Sequence, residues 1–327
     1  MSIPRRLSVL LLSVALLSCG GGSEGPVVPV VDVPGFQIQI VYVGATPAPA
    51  IVQSFTSAAS RIQSAITGDL SSVRVGTTST PFEVSACVEP ATTFDEAEPV
   101  NQVFDDLVIY VKVEAIDGVG QVLGSAGPCL TRTITGHTAL GVMRFDSADL
   151  QNLSNNGRLG AVVLHEMLHV VGVGTLWQSK GILADSSTPS VRVTGPLAVA
   201  ACVTDHAGGS VCTGNAVPAE NCLDLSPSVT CGVGTRNSHW KESVFQTELM
   251  TGYAGATNPL SKMTLQNLAD MGYVVDVGAA DAYTVPTVTA MRELRADDDM
   301  ASGVALPEPT RPRFSVDPSG VVRRLPR

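Results

Sequence analysis

Residues 165–169 read His-Glu-Met-Leu-His. On a helix, positions four apart lie one turn apart on one face, so the imidazoles of His165 and His169 leave the same side and Glu166 stands at its edge. Two imidazoles and a carboxylate so placed form a divalent-metal donor set with its own general base, and this spacing on a helix reads as zinc, one ion per chain. The intervening residues, among them Leu159, Val162, Val163, Leu168 and Val171, are apolar all round the helix, which reads as a helix in the middle of a domain. Polar groups buried there need a partner, because burying one unsatisfied is costly. The blander alternative is a pair of core histidines hydrogen-bonded to backbone.

The flanking segments supply the scaffold. Residues 36–43, FQIQIVYV, alternate as a strand does, and Ile51, Phe55, Ala58, Ala59, Ile62 and Ile66 recur at helical spacing before a stop at Gly68. A second strand is predicted over DLVIYVKVEAI, then a loop over GVGQVLGSAGPC (118–129), then a third strand at 139–145. Ser154, Asn155 and Asn156 offer N-caps for the HEMLH helix, and Gly172 stops it just past His169. Strands beside one long helix, then the site helix, suggest an α+β half-domain. Further on, Ser261 caps a short helix with Leu265, Leu268 and Ala269 on one face and Gly272 as its stop. From 290 to 327 the chain turns rich in Pro, Arg and Asp with little periodicity and reads as a disordered tail.

The start of the chain reads as an export signal. Arg5 and Arg6 precede an apolar run from Leu7 to Leu17 that is too short to span a bilayer. Leu16-Leu17-Ser18-Cys19 resembles the lipobox of bacterial lipoproteins, which makes 1–18 a signal peptide, Cys19 the acylated first residue and 20–35 a Gly/Pro-rich tether. A periplasmic or cell-surface protein held to a membrane by that anchor alone is expected. Setting Cys19 aside leaves Cys87, Cys129, Cys202, Cys212, Cys222 and Cys231, an even number that in an exported chain suggests three disulfides. Cys87 is expected to pair with Cys129 and the other four among themselves. No two are spaced CxxC, so a thiolate zinc site is a weak alternative. The formal charge is -10, and -12 once residues 1–18 with Arg5 and Arg6 are removed, which argues against nucleic acid as a partner.

HEMLHVVG at 165–172 is similar to the metzincin motif HExxHxxG, but the compact motif's third histidine is missing, since position 175 is Thr. The chain resembles the leishmanolysin-like branch of that group, in which a long insertion displaces the third histidine. Here a cysteine-rich insert separates Gly172 from His239, and ELMTG at 248–252 resembles the family's Met-turn. The resemblance spans roughly 36–285. It implies a metzincin-type zincin fold: a catalytic subdomain at 36–172 with a mixed sheet and helices, an irregular, disulfide-linked subdomain at 173–289, and a cleft between them. It also implies a zinc metalloendopeptidase acting on protein or peptide as a monomer. His165, His169 and His239 would bind zinc, leaving a fourth position for water, Glu166 would be general base and acid, and Met250 would form an apolar floor without ligating. His239 precedes Met250 by eleven residues, which favours it over His206 in the insert. His137 reads as a loop or hydrogen-bonding residue. Tyr253, Trp240 and Phe245 read as core, Glu242 and Glu248 are candidates for orienting a ligand histidine, and strand 139–145 could pair with an extended substrate. A non-catalytic surface lipoprotein using the same fold to bind a protein partner, and a structural zinc protein, are the competing readings. Glu166, dispensable in either, is present.

Overall fold

The computed structural model describes residues 32–120, 123–212, 214–222, 235–254, 258–286, 304–305 and 308–326. The proposed signal peptide and Cys19 lie outside them. The first half of the described chain runs β1 (Ile38–Tyr42), α1 (Pro49–Ala65), β2 (Val73–Val75), β3 (Gln102–Phe104), β4 (Leu107–Glu114), β5 (Gly124–Arg132), β6 (Thr138–Asp146), α2 (Ser147–Asn155) and α3 (Leu159–Val171). Shorter pieces follow: β7 (Leu183–Ala184), β8 (Arg192–Val193), α4 (Pro196–Ala200), β9 (Val217–Pro218), α5 (Glu242–Phe245), β10 (Tyr253–Ala254) and α6 (Lys262–Asp270). The chain ends with β11 (Val304–Ala305), β12 (Glu308–Pro309), β13 (Phe314–Val316) and β14 (Val322–Arg324).

The main sheet is seven-stranded, ordered β1-β4-β6-β5-β13-β14, with β12 also on β5. β1, β4 and β6 are parallel, β5 runs antiparallel to β6, and β12 and β13 lie parallel to β5. Side chains alternate across a strand, and β4 shows the consequence. Its Leu107, Ile109 and Val111 share a core with α1 and α3 (Phe55, Ile62, Val163, Met167). Val108 and Tyr110 enter a second core on the opposite face with Phe82, Val84, Phe94 and Phe104. Burial on both faces is why this strand reads as one apolar run.

Four sequence expectations are corrected. Residues 124–132, expected as loop, form β5: Gly124, Gly127 and Pro128 look like loop signals but serve an irregular strand whose register against β6 shifts between Pro128 and Thr131. Ser154 and Asn155 end α2 rather than cap the site helix, whose N-cap is Arg158. The real cap signal is Asp146, which accepts from Ala148 and Asp149 at the start of α2 and, through Oδ2, from Ile116, Asp117 and Gly118. Burial pushes this carboxyl up, but the backbone donors outweigh it and bring its pKa to about 2.

The third correction is the tail, whose residues 308–326 carry β12, β13 and β14. β13 lies on β5, Phe314 meets the Phe82 ring edge-on at 5.3 Å between centroids, and Val316 is buried in the second core. Pairing supplies the backbone partners that composition alone does not reveal. Gly127 makes room for it, since a Cβ there would strike the backbone of Thr310. β6 is bonded to β4 on one side and β5 on the other, so it has no free edge with which to pair a substrate.

Cys87–Cys129 closes as expected, joining the second core to β5, and Cys202–Cys212 pairs within the insert. Cys222 is also disulfide-bonded, and Cys231 lies outside the described residues. Disulfides persist in oxidising compartments, which fits an exported chain. No helix among the described residues is long and apolar enough to cross a membrane.

Candidate metal centre

The end of α3 is fixed by hydrogen bonds that a helix cannot make for itself. The last carbonyls of a helix lack intrahelical partners, and here each finds one nearby. Leu168 accepts from the Gly172 and Val173 amides, His169 from Thr175 Oγ1 at 2.7 Å, Val170 from Thr138 Oγ1 at 2.8 Å and Val171 from the Tyr273 hydroxyl at 3.0 Å. The residue at 175, where the compact motif has its histidine, thus caps the helix that carries the second one.

Gly172 (φ 138°) and Gly174 (φ 77°) then turn the chain away. Gly174 has a further task, because a Cβ there would fall on the Ser238 carbonyl, with Ser238 Cα at 2.8 Å. Without a side chain at 174, the segment carrying His239 comes close beside the helix end. That segment is pinned from both sides: Glu220 N–H donates to the His239 carbonyl at 2.9 Å, and Trp240 N–H donates to the Met250 carbonyl at 3.0 Å. Trp240 is fully buried against Trp177, ring centroids 4.8 Å apart, and its indole N–H donates to Thr264 Oγ1.

The result is a triangle of imidazole nitrogens. Nε2 of His165, His169 and His239 lie 2.9, 3.0 and 3.1 Å apart. Each Nδ1 meets a backbone carbonyl: His165 that of Leu249 at 2.6 Å, His169 that of Val173 at 2.8 Å, and His239 that of Thr235 at 3.1 Å, with Ser238 Oγ also near the last. A carbonyl only accepts, so each Nδ1 carries the hydrogen and each Nε2 is left with a lone pair. Burial, and next the neighbouring imidazoles, hold His165 and His169 well below the usual histidine range, and burial brings His239 down to about 4. Three neutral rings aiming lone pairs at one another repel unless a cation lies among them. A triangle with sides near 3 Å places each nitrogen about 1.7 Å from its centre, within the ~2.0–2.1 Å reach of a zinc–imidazole bond. The residues present fit a zinc ion.

Glu166 completes the cluster. Its Oε1 is 3.9 Å from His165 Nε2, the side chain is wholly buried, and neither oxygen has a hydrogen-bond partner. Burial holds this carboxyl well above the usual range. Two orphaned carboxylate oxygens beside three lone pairs call for the same missing positive charge and for a proton donor.

The other sequence candidates fall elsewhere. His206 is not at the triangle: it is buried, Nδ1 facing the Tyr283 carbonyl and Nε2 accepting from Met263 N–H. His137 lies in the loop just before β6 and hydrogen-bonds through Nε2 to the Met271 carbonyl, as expected, and it is buried. Met250, Trp240 and Phe245 are fully buried. Tyr253 lies in β10, its side chain outside the described set. Glu248 accepts from the Met250 amide and from the Ser261 and Thr264 hydroxyls, and Glu242 is buried at the start of α5. Sequence reasoning missed Glu220, whose carboxylate accepts from the Cys222 and Glu242 amides while its own N–H holds His239. It also missed Gly174 and Thr175, whose contacts arise only once the loop after α3 is folded.

Comparison with curated proteins finds no match. The sequence pattern of the leishmanolysin family (peptidase M8) matches residues 74–289, which is more than half of the chain and includes all three histidines and Met250. That family consists of zinc metallopeptidases, and the mixed α+β architecture with its disulfides is consistent with a metzincin-like fold. This chain belongs to the leishmanolysin family.

Proposed function

We propose that the chain is a zinc-dependent metalloendopeptidase, exported and tethered by an acylated Cys19, in which His165, His169 and His239 hold one zinc ion and Glu166 handles protons. The observation that carries it is the triangle: three Nε2 atoms within 3.1 Å of one another, every Nδ1 tied to a carbonyl, and a partnerless carboxylate beside them. Zinc held there supplies a Lewis acid for the scissile carbonyl and acidifies the attacking water.

The chain's own groups do the rest. The three Nδ1–H bonds keep the rings oriented and leave the lone pair of each Nε2 for the metal. Glu166, flanked by apolar residues of α3, is the carboxylate among the described residues that stands beside the triangle, placed to take a proton from water and return it to the leaving amine. The site region at 36–172 supplies His165, Glu166 and His169, and the region at 173–289 supplies His239 and Met250, so both halves are needed to assemble the centre.

Metal analysis of the purified chain, with cleavage of a denatured protein by wild type and Glu166→Ala, tests this. Expected are about one zinc per chain in both proteins and cleavage lost in the variant by at least 100-fold, in line with general acid–base contributions of ~10²–10⁴. Zinc bound without Glu166-dependent cleavage would favour the non-catalytic surface protein.

A further inference from the structure

The geometry points to Glu248 as a positioning residue that acts on His165 through a single peptide group, the one joining Leu249 to Met250. The carbonyl of that peptide accepts from His165 Nδ1 at 2.6 Å, and its N–H donates to Glu248 Oε2 at 2.5 Å. A carboxylate, a peptide and an imidazole thus stand in one hydrogen-bonded line that ends at the Nε2 facing the triangle. Metal-ligating histidines often donate their second nitrogen to a carboxylate. Here the carboxylate is one peptide removed, and polarisation along linked hydrogen bonds lets its charge strengthen the carbonyl as an acceptor. The inference rests on the metal reading of the triangle.

The surroundings of Glu248 commit it to the role of acceptor. It is wholly buried. Oε1 accepts from Ser261 Oγ and Thr264 Oγ1, both at 2.6 Å, and from Ser261 N–H at 3.3 Å. Those hydroxyls are themselves addressed by other donors, Thr264 Oγ1 by the Trp240 indole at 2.8 Å and Ser261 Oγ by Thr264 N–H at 3.2 Å, so their hydrogens point to the carboxylate. Donors approach both oxygens, and a protonated acid would have to place its own hydrogen against one of them. Burial pushes this carboxyl up and the same donors pull it back down, and the ionised form is the one their geometry fits.

The relaying peptide is held on both flanks as well. Leu249 N–H donates to the Pro259 carbonyl at 3.0 Å and the Met250 carbonyl accepts from Trp240 at 3.0 Å. Trp240 follows His239 directly, so the same small network registers the third histidine against the first. α6 contributes Ser261 as cap and Thr264 in its first turn, which gives that short helix a part in the centre although it offers no ligand.

The test uses the full chain with zinc and cobalt as probes. Glu248→Gln keeps the shape but turns one acceptor into a donor; zinc affinity, measured against a chromophoric chelator, is expected to fall about 10–100-fold, with displaced absorption bands in the cobalt-loaded protein. Ser261→Ala with Thr264→Val removes the Oε1 hydroxyl donors and leaves the Met250 bond, so it should lower the melting temperature while zinc affinity changes less than threefold. Glu248→Gln binding zinc within threefold of wild type with unchanged cobalt bands overturns the proposal, as does the double variant losing as much affinity as Glu248→Gln. Should Glu248→Gln not fold, the zinc-loaded wild type decides: a downfield, slowly exchanging His165 Nδ1 proton is expected, and metal on Nδ1 or a freely exchanging proton there refutes the relay. These readouts need no cleavage. Zinc binding with the expected Glu248 dependence but no Glu166-dependent cleavage would sink the peptidase reading alone, while a wild type that binds no zinc would sink both.

Discussion

Gly174→Ala should damage the metal centre more than its distance in sequence from any ligand suggests. At φ 77° the glycine lies in left-handed backbone that costs an alanine about 1–2 kcal/mol. The larger effect is steric. The new methyl would stand 2.6 Å from the Ser238 carbonyl carbon and 2.8 Å from its Cα, closer still to the oxygen, so that segment must retreat by on the order of 1 Å to regain van der Waals separation. His239 is the next residue, and metal–ligand distances tolerate only about ±0.2 Å. One of the three nitrogens therefore leaves the triangle or pulls the others with it. Misplacement by ~1 Å is worth about 10²-fold where geometry governs, so zinc affinity and cleavage should each fall roughly 100-fold, about 2.7 kcal/mol. Gly160→Ala is the control: it lies in the same helix α3, a Cβ there meets nothing within 4 Å, and removing a helical glycine should be neutral or stabilise by up to ~1 kcal/mol. Chelator competition gives the zinc affinity, and melting of metal-free protein gives the backbone cost separately. If Gly174→Ala binds zinc within threefold of wild type, the close approach of Ser238 does not set the position of His239.

Two further outcomes follow from buried titrating groups. Burial first, then the nearby Lys180 charge, lowers the His137 pKa from 6.5 to about 4, so between those values the unfolded chain takes up a proton that the folded chain refuses. Stability of the metal-free protein should therefore fall as pH drops from 6.5 toward 4, at up to about 1.4 kcal/mol per pH unit for this residue; denaturant midpoints at pH 7 and pH 5 check it, and His137→Asn should reduce the slope by that share while the three buried imidazoles of the triangle keep theirs. Asp146 has the opposite proton preference to a buried neutral acid: its carboxylate is the form the folded chain favours, and its contribution is present above 3.8 and lost as pH falls through about 2. Asp146→Ala strips the acceptor from both the α2 cap and the turn at 116–118, and the melt should show a loss of about 2 kcal/mol or more; a change under ~0.5 kcal/mol would mean that water replaces those bonds.

What could be read from the sequence was whatever repeats at short range. His165, Glu166 and His169 were legible because helical spacing alone puts them on one side, and β1, α1, β4 and β6 because their apolar periods match strands and helices. His239 was legible only through resemblance, its distance from Met250 being the clue. Hidden were the parts made by contacts between remote residues: Gly174 against Ser238, Tyr273 on Val171, Glu248 beneath a peptide that His165 uses. β5 was hidden for a different reason. Its glycines and proline are loop signals on their own, and only pairing with β6 on one side and the C-terminal strands on the other makes an extended conformation the better outcome. α2 does carry a short-range signal, the cap Asp146 followed by Leu150 and Leu153 three apart.

The same distinction explains how a small motif becomes a site. HEMLH fixes two nitrogens relative to each other, but nothing in the helix fixes where a third will arrive. That is decided by the helix end, where Thr175, Thr138 and Tyr273 hold the last carbonyls in place and Gly174 admits Ser238. Thr138 begins β6 and Tyr273 follows α6, so the sheet and the second half of the chain both grip the turn that carries His169. A shift in either would be felt at the triangle before it reached the surface. The centre is consequently a product of residues spread from Thr138 to Tyr273, inside the stretch that the family pattern covers, and not of the pentapeptide that first reveals it.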